Sequence, residues 1–216
     1  MFTGIVTDVG EIVAAEDFQG TLRRLRINST YDPASIAIGA SIACGGPCLT
    51  VVAVGPRDGG SWFDVDAAAE TLQRTTVAAW TPGTRVNLER SMKIGDELGG
   101  HVVTGHVDGV AEILARVDIT EAGGGSDDPW GPTARFDIRA PRELARFIAE
   151  KGSVGLDGTS LTVNSVDGDV FSVLLIPHTL TITTWGERKA GDKVNLEVDL
   201  MARYAARLAE ARAAGY

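Results

Sequence analysis

Two cysteines and three histidines hold most of the nucleophilic and proton-transfer capacity of this 216-residue chain. Cys44 and Cys48 lie in I-A-C-G-G-P-C-L-T-V, residues 42–51, and the histidines are His101, His106 and His178. A thiol can attack an electrophilic carbon or bind a metal, and an imidazole is the side chain best suited to move a proton near neutral pH. The spacing C-x-x-x-C matches neither a zinc knuckle nor a thioredoxin-type C-x-x-C. Taken alone, it leaves open a redox pair, half of a metal site, a nucleophile with a bystander, or two pieces of core. Cys and His ligands are too few for a metal site, so none is expected. A Cys44–Cys48 disulfide is disfavoured because two cysteines in a chain this long suggest a reducing compartment.

Composition narrows the partners. The chain is 44% hydrophobic and 23% charged, with a formal net charge of −9. Nucleic acid and anionic membrane surfaces are bound through an excess of Lys and Arg, so both are disfavoured and a small, nearly neutral ligand fits better. The start, M-F-T-G-I-V-T-D-V-G-E-I, lacks the basic and apolar regions of a secretory signal. No stretch approaches the roughly 20 uninterrupted apolar residues of a membrane span. A cytoplasmic location is expected.

The elements that position these residues occur twice. Thr3-Gly4-Ile5-Val6, with Val9, Glu11 and Ile12, returns as Thr104-Gly105-His106-Val107 with Val110, Glu112 and Ile113, a shift of 101. Ser41-Ile42 and Leu49-Thr50-Val51 return as Ser153-Val154 and Leu161-Thr162-Val163, a shift of 112. Phe63, Thr71-Leu72, Thr75-Thr76 and Val86-Asn87-Leu88-Glu89 return 108 residues later, ending in Val194-Asn195-Leu196-Glu197. Matched segments in one order mean two homologous domains, here 1–97 and 98–200. The extra residues of the second copy are expected in a loop at Glu121 to Pro132, a stretch rich in Gly, Asp and Pro.

Each half carries short apolar runs between Gly, Asp and Asn, such as Leu22–Ile27, Leu49–Val54, Val110–Leu114 and Val170–Ile176. Such runs predict an all-β sandwich or small barrel. Short helices are expected at 139–148 and 34–38. The tail, 201–216, puts Met201, Tyr204, Leu208 and Ala211 on one face at helical spacing. Such a helix needs something to pack on, either a barrel end or another subunit.

The duplication separates the two cysteines. Cys44 aligns with Leu156 and Cys48 with Ser160, so one thiol replaces an aliphatic side chain and the other a hydroxyl. Side chains alternate along a strand, so if Leu49 and Val51 face the interior, Cys48 and Thr50 face out. Cys44 reads as core and Cys48 as a half-buried thiol or an active-site group. His106 aligns with Ile5 and His178 with Glu70, so the copies share a backbone motif but differ in ionisable group.

The motifs M-F-T-G-I-V, S-I-A-x-x-G-x-C-L-T-V, E-T-L-x-x-T, V-N-L-E-R, G-G-H-x-x-x-G-H-V-D, K-G-S-x-x-x-D-G-x-S-L-T-V, L-I-P-H-T-L and V-N-L-E-x-D resemble the riboflavin synthase family of the α-subunit type, from Met1 to about Tyr204. The resemblance implies two similar six-stranded Greek-key β-barrels and a C-terminal helix at 201–216 that builds a homotrimer. It implies a transferase that dismutates 6,7-dimethyl-8-ribityllumazine without a cofactor, at a site between the N-terminal barrel of one subunit and the C-terminal barrel of its neighbour. Association with a lumazine synthase belongs to the same expectation.

Carried onto this chain, the resemblance implies a first site of Gly4, Ile5 and Val6, with Cys48, Leu49 and Thr50, and then Asp66, Ala67, Ala68, Ala69, Glu70 and Thr71. It implies a second site of Gly105, His106 and Val107, with Lys151, then Ser160, Leu161 and Thr162, and Ile176, Pro177, His178 and Thr179. Cys48 would be the nucleophile or polar contact near ring atom C7, and His106 the proton shuttle. Ser41, Asp199 and Phe2 are supporting candidates, although Asp199 also fits a helix cap and Phe2 plain core. The chain departs from the family where Cys44-Gly45-Gly46-Pro47-Cys48 replaces the common V-N-G-V-C. The alternative function is a lumazine- or flavin-binding protein of the same fold that turns nothing over; the presence of Cys48 and His106 disfavours it. A two-barrel flavin reductase module is disfavoured because no G-x-G-x-x-G precedes a helix.

Overall fold

A computed structural model describes residues 1–18, 21–119 and 133–215. The loop expected at Glu121 to Pro132 lies outside the described residues. The first half forms β1 (Asp8–Phe18), β2 (Leu22–Ser29), β3 (Ser41–Cys44), β4 (Cys48–Arg57), β5 (Gly60–Ala68) and β6 (Arg85–Arg90). The second forms β7 (Gly109–Ile119), β8 (Thr133–Arg139), β9 (Ser153–Leu156), β10 (Thr159–Asp167), β11 (Val170–Leu175) and β12 (Lys193–Val198). Each set closes into an antiparallel barrel, in the order β1-β2-β5-β4-β3-β6 and the matching order β7-β8-β11-β10-β9-β12.

Alternation in sequence decides which way each strand faces. In β2, Leu25 and Ile27 are fully buried while Arg24 and Arg26 point outward; in β8, Phe136 and Ile138 are buried between Arg135, Asp137 and Arg139. Both barrels bend at matched register shifts, Ile12/Ala14 with Ile113/Ala115 and Val51/Ala53 with Val163/Ser165. A bulge strengthens local twist and helps a short sheet close on itself. The first core contains Cys44, Leu49, Val51, Phe63 and Leu88; the second contains Phe136, Leu156, Leu161, Trp185 and Leu196. Each fully buried large apolar side chain contributes roughly 1.5–3 kcal/mol.

The helical expectations are met only in part. Helix α1 (Ala69–Arg74) follows β5, and α2 (Arg142–Ala145) is all that is α-helical within 139–148. Pro141 holds Ala140 out of the helical region, and the carbonyl of Pro141 accepts from Leu144 N and Ala145 N to make a single turn. The counterpart at 34–38 is a 3-10 turn, Pro33–Ser35. Helix α3 (Pro177–Ile182) matches α1 in the second copy.

The tail forms α4 (Leu200–Ala213), capped by the Asp199 carboxylate, which accepts from Met201 N at 2.7 Å. Its apolar face does not cover a barrel end: Met201, Tyr204 and Leu208 are 80, 61 and 66% exposed. No helix among the described residues is long and apolar enough to cross a membrane.

Candidate active site

The repeated V-N-L-E motif builds the site by sending alternate side chains in opposite directions. Val86, Leu88, Val194 and Leu196 fill the cores, while Asn87, Glu89, Asn195 and Glu197 leave the barrels yet stay buried where the barrels meet. Asn87 Nδ2 donates to Asp157 O at 2.9 Å, and its Oδ1 accepts from Thr184 N at 2.8 Å. Asn195 returns the contact, donating to Gly45 O and accepting from Thr76 N, both at 2.7 Å. Each such bond contributes about 0.5–1.5 kcal/mol, and losing one partner strands a buried polar group. Two amides therefore fix the barrels face to face.

The two glutamates hold the segments that precede β1 and β7. Thr3 N and Oγ1 donate to Glu89 Oε1 at 2.7 and 2.8 Å, and Gly4 N donates to Oε2 at 2.9 Å. Thr104 and Gly105 make the same three bonds to Glu197, at 2.7, 2.7 and 2.9 Å. Burial pushes the Glu89 carboxyl above its ordinary range, against the opposing pull of these donors.

Each of these straps then leans on the other barrel. Ser160 N donates to Gly4 O at 2.8 Å, and Cys48 N donates to Gly105 O at 2.9 Å. Gly4 and Gly105 both adopt φ +75°, and a Cβ on either would lie 2.5 Å from the Cβ of Ser160 or Cys48. Only glycine allows this conformation at this distance. Within the chain, Gly4 of the first strap therefore lies against Ser160, and Gly105 of the second lies against Cys48.

Around the second strap lies an open cleft of about 510 Å³, lined by Cys48, Glu70, Thr71, Gly105, His106 and Val107 together with Pro47, Arg74, Thr75, Asp108 and Leu144. That volume lies within the range of small-molecule sites. A half-buried thiol and an exposed imidazole on facing elements can activate and attack a ring carbon and move its proton. Cys44, by contrast, is fully buried, and burial pushes its thiol pKa far up, so it stays protonated. Both cysteines are free. Among the described residues no group of three or more His, Cys, Asp or Glu side chains is placed to hold a metal ion.

The matching half-site centres on Ser160, whose hydroxyl lies 2.7 Å from His101 Nδ1. Burial lowers the His101 pKa, against the raising influence of Asp199 and Glu197, and its buried Nε2 has no partner among the described residues. Lys151 stands in the left-handed region at φ +61°, where the matching Gly39 has φ +86°. A non-glycine residue held there costs of order 1 kcal/mol or more.

The remaining candidates divide by where their side chains lie. Thr50, Thr162, Ile5, Ile176 and His178 are exposed, while Pro177 and Thr179 are half-buried at the start of α3. Leu49, Leu161 and Ala67 belong to the cores, so only their backbone can face a ligand. Val6 is also buried. The Asp66 carboxylate is taken up by Arg24 in two 2.8 Å bonds, and Ala68 and Ala69 join β5 to α1. Ser41 pairs with Thr50 in the β3–β4 ladder. Phe2, fully buried, packs with Ala43, Val103 and Cys48 and bridges to Val103 through two backbone bonds. The candidate site read from sequence left out Pro47, Arg74, Thr75, Asp108 and Leu144, and also His101, which was noted only as one of the three histidines. Of these, Thr75 belonged to a repeated pair and Asp108 to the G-H-V-D motif.

Two straps exchanged between two copies of one barrel define a tandem ligand-binding protein, and comparison with known proteins names its class. The family model of the lumazine binding domain matches residues 3–91 and 104–199. A riboflavin synthase of Brucella abortus (strain 2308) is 57% identical over 213 residues, covering 97% of this chain and 98% of that protein. A riboflavin synthase of Photobacterium phosphoreum is 42% identical over 96% of this chain and 88% of its own length. LumP complexed with riboflavin is similar in structure, with a TM-score of 0.75 and 25% identity over 92% of this chain and 99% of LumP. The chain belongs to the riboflavin synthase family.

Proposed function

We propose that the cleft uniting Cys48 with His106 is where this chain carries out the transferase reaction of its family. In that reaction two molecules of 6,7-dimethyl-8-ribityllumazine exchange a four-carbon unit. The donor becomes 5-amino-6-ribitylamino-2,4(1H,3H)-pyrimidinedione, and the acceptor becomes riboflavin. The observation that carries the reading is the Gly105 O to Cys48 N bond, which sets the His106 strap on the edge of the strand that bears the thiol.

The 7-methyl group of a lumazine is acidic because its carbanion delocalises into the ring. His106 takes that proton from one substrate, and the Cys48 thiol sits near C7 of the ring in its cleft. Ser160, His101 and Lys151 serve the second substrate, with Lys151 reaching its ribityl oxygens. Holding two rings in register removes much of the entropic cost of a bimolecular encounter.

The subunit arrangement belongs to the same proposal. Met201, Tyr204 and Leu208 form an exposed apolar row on α4, which supports a homotrimer that completes the site between neighbours. A cytoplasmic setting is supported by two free thiols. A lumazine synthase partner is tested by co-sedimentation of the two proteins. The binding-only alternative has in its favour the likeness to LumP. It differs from the enzyme reading in one measurement. Cys48→Ser and His106→Ala each slow lumazine turnover about 100-fold, in the range removed with a general acid or base, while lumazine still binds. Full activity in Cys48→Ala removes the thiol's role.

A further inference from the structure

We infer that Asp108 and Arg203 form a positioning link through which helix α4 sets the geometry of the strap that carries His106. The inference rests on the reading of His106 given above. Asp108 lies two residues beyond His106 and lines the same cleft. Its Oδ1 accepts from Arg203 Nη1 at 2.5 Å, and its Oδ2 accepts from Arg203 Nη2 at 2.8 Å and from Val198 N at 2.9 Å. The Asp108 side chain is 11% exposed and that of Arg203 35%. A two-pronged, largely shielded pair of this kind fixes direction as well as distance.

The strap is therefore anchored at both ends by the end of β12 and the start of α4. Glu197 holds Thr104 and Gly105, and Asp108 joins the strap's far end to Val198 and Arg203. His106 lies exposed between the anchors. Among the described residues no hydrogen bond holds its ring, and its N–H donates only to Thr104 Oγ1 within the strap, at 3.3 Å. With nothing gripping the imidazole, its place in the cleft it shares with Cys48 depends on the backbone that the anchors fix.

The first barrel supplies the control. Thr7 takes the place of Asp108: Thr7 N donates to Leu88 O as Asp108 N does to Leu196 O, each at 2.9 Å. There the side chain instead meets the Tyr31 hydroxyl at 2.6 Å, its strap carries Ile5, and among the described residues no helix lies between β6 and β7. The ionic anchor thus occurs in the copy whose strap bears a histidine and whose last strand runs into a helix. Contacts made on the exposed face of α4 reach the cleft through this link.

The test compares full-length Arg203→Met, Arg203→Lys, Asp108→Asn and the double variant, each with and without His106→Ala, for kcat and KM with 6,7-dimethyl-8-ribityllumazine. Mass in solution and thermal midpoint are followed alongside. Arg203→Met and Asp108→Asn are expected to lower kcat about tenfold or more, since small misplacements of a catalytic group cost up to about 100-fold, with KM within about twofold. Arg203→Lys, which keeps the charge but loses the fork, should recover part of the rate in a protein of unchanged mass. The double variant should be no slower than the worse single one, and in the His106→Ala background the link variants should have no further effect. An unchanged kcat in both singles, a loss carried by KM, or the same drop in the His106→Ala background overturns the link. Full turnover by His106→Ala alone would instead overturn the assignment of His106.

Discussion

The turn ahead of Cys48 and the turn ahead of Ser160 share a backbone path but are packed by opposite chemistry. Gly45 at φ +57° and Asp157 at φ +45° both take the left-handed region. In the first barrel the Trp80 ring lies against Gly45, where a Cβ would come within 3.0 Å of it. In the second, Arg188 occupies the position of Trp80, and the Asp157 carboxylate accepts from Arg188 Nη2 at 2.7 Å and Asn195 N at 2.8 Å. Trp80 Nε1 donates to Thr76 Oγ1 at 3.1 Å, whereas the matching Thr184 Oγ1 is buried and, like Arg188 Nε, has no partner among the described residues. The duplicated function, presenting a thiol or hydroxyl to a strap from the other barrel, is conserved between the copies. Its support has diverged as a set. The charged version is the less comfortable one: burial raises the Asp157 pKa even beside Arg188.

The strap glycines keep the same conformation and the same close contact in both copies, so breaking one there has the largest effect. Gly105→Ala adds a Cβ 2.5 Å from that of Cys48 at φ +75°. It is expected to cost several kcal/mol at the strap and at least 100-fold in turnover. Gly4→Ala should do comparable damage through Ser160, and the two are compared by steady-state rates and thermal melts.

The divergent set comes next. Arg188→Met leaves a buried carboxylate unpaired and should cost about 3–5 kcal/mol in denaturant unfolding. Grafting the first barrel's solution with Asp157→Gly and Arg188→Trp together should recover most of that loss, because the indole can donate to Thr184 Oγ1. A double variant as unstable as Arg188→Met would mean the two sets are not interchangeable.

The sequence shows the duplication, both barrels, the tail helix and the split between Cys44 and Cys48, because all of these rest on periodicity or on matching segments. It does not show which strap meets which barrel. That exchange depends on Asn87 and Asn195 reaching across to Thr184 and Thr76, and no local pattern records where a side chain crosses to another domain. Asp108 and Leu144 join the cleft through the same tertiary placement. Helix α2 came out shorter than its composition suggested because Pro141 sets its start and only one turn follows.

Single positions carry smaller differences between the copies. Lys151→Gly gives the second barrel the residue that the first uses at Gly39; it should leave stability unchanged or raise it by about 1 kcal/mol while raising KM. A lower KM would remove Lys151 from the ligand. His101, whose pKa burial lowers, resists protonation in the folded state, so its contribution is present above pH ~6.5 and is lost as pH falls through its lower folded value. His101→Gln should flatten the decline of stability below that pH, the smallest effect here, read from urea midpoints across pH.

If both copies act together on two lumazines, with the chemistry at Cys48 and His106, full-length protein given 6,7-dimethyl-8-ribityllumazine alone forms one riboflavin for every two lumazines consumed, and Cys48→Ala is slowed about 100-fold. Lumazine that binds without yielding riboflavin, or a Cys48→Ala protein that keeps the full rate, would contradict that reading.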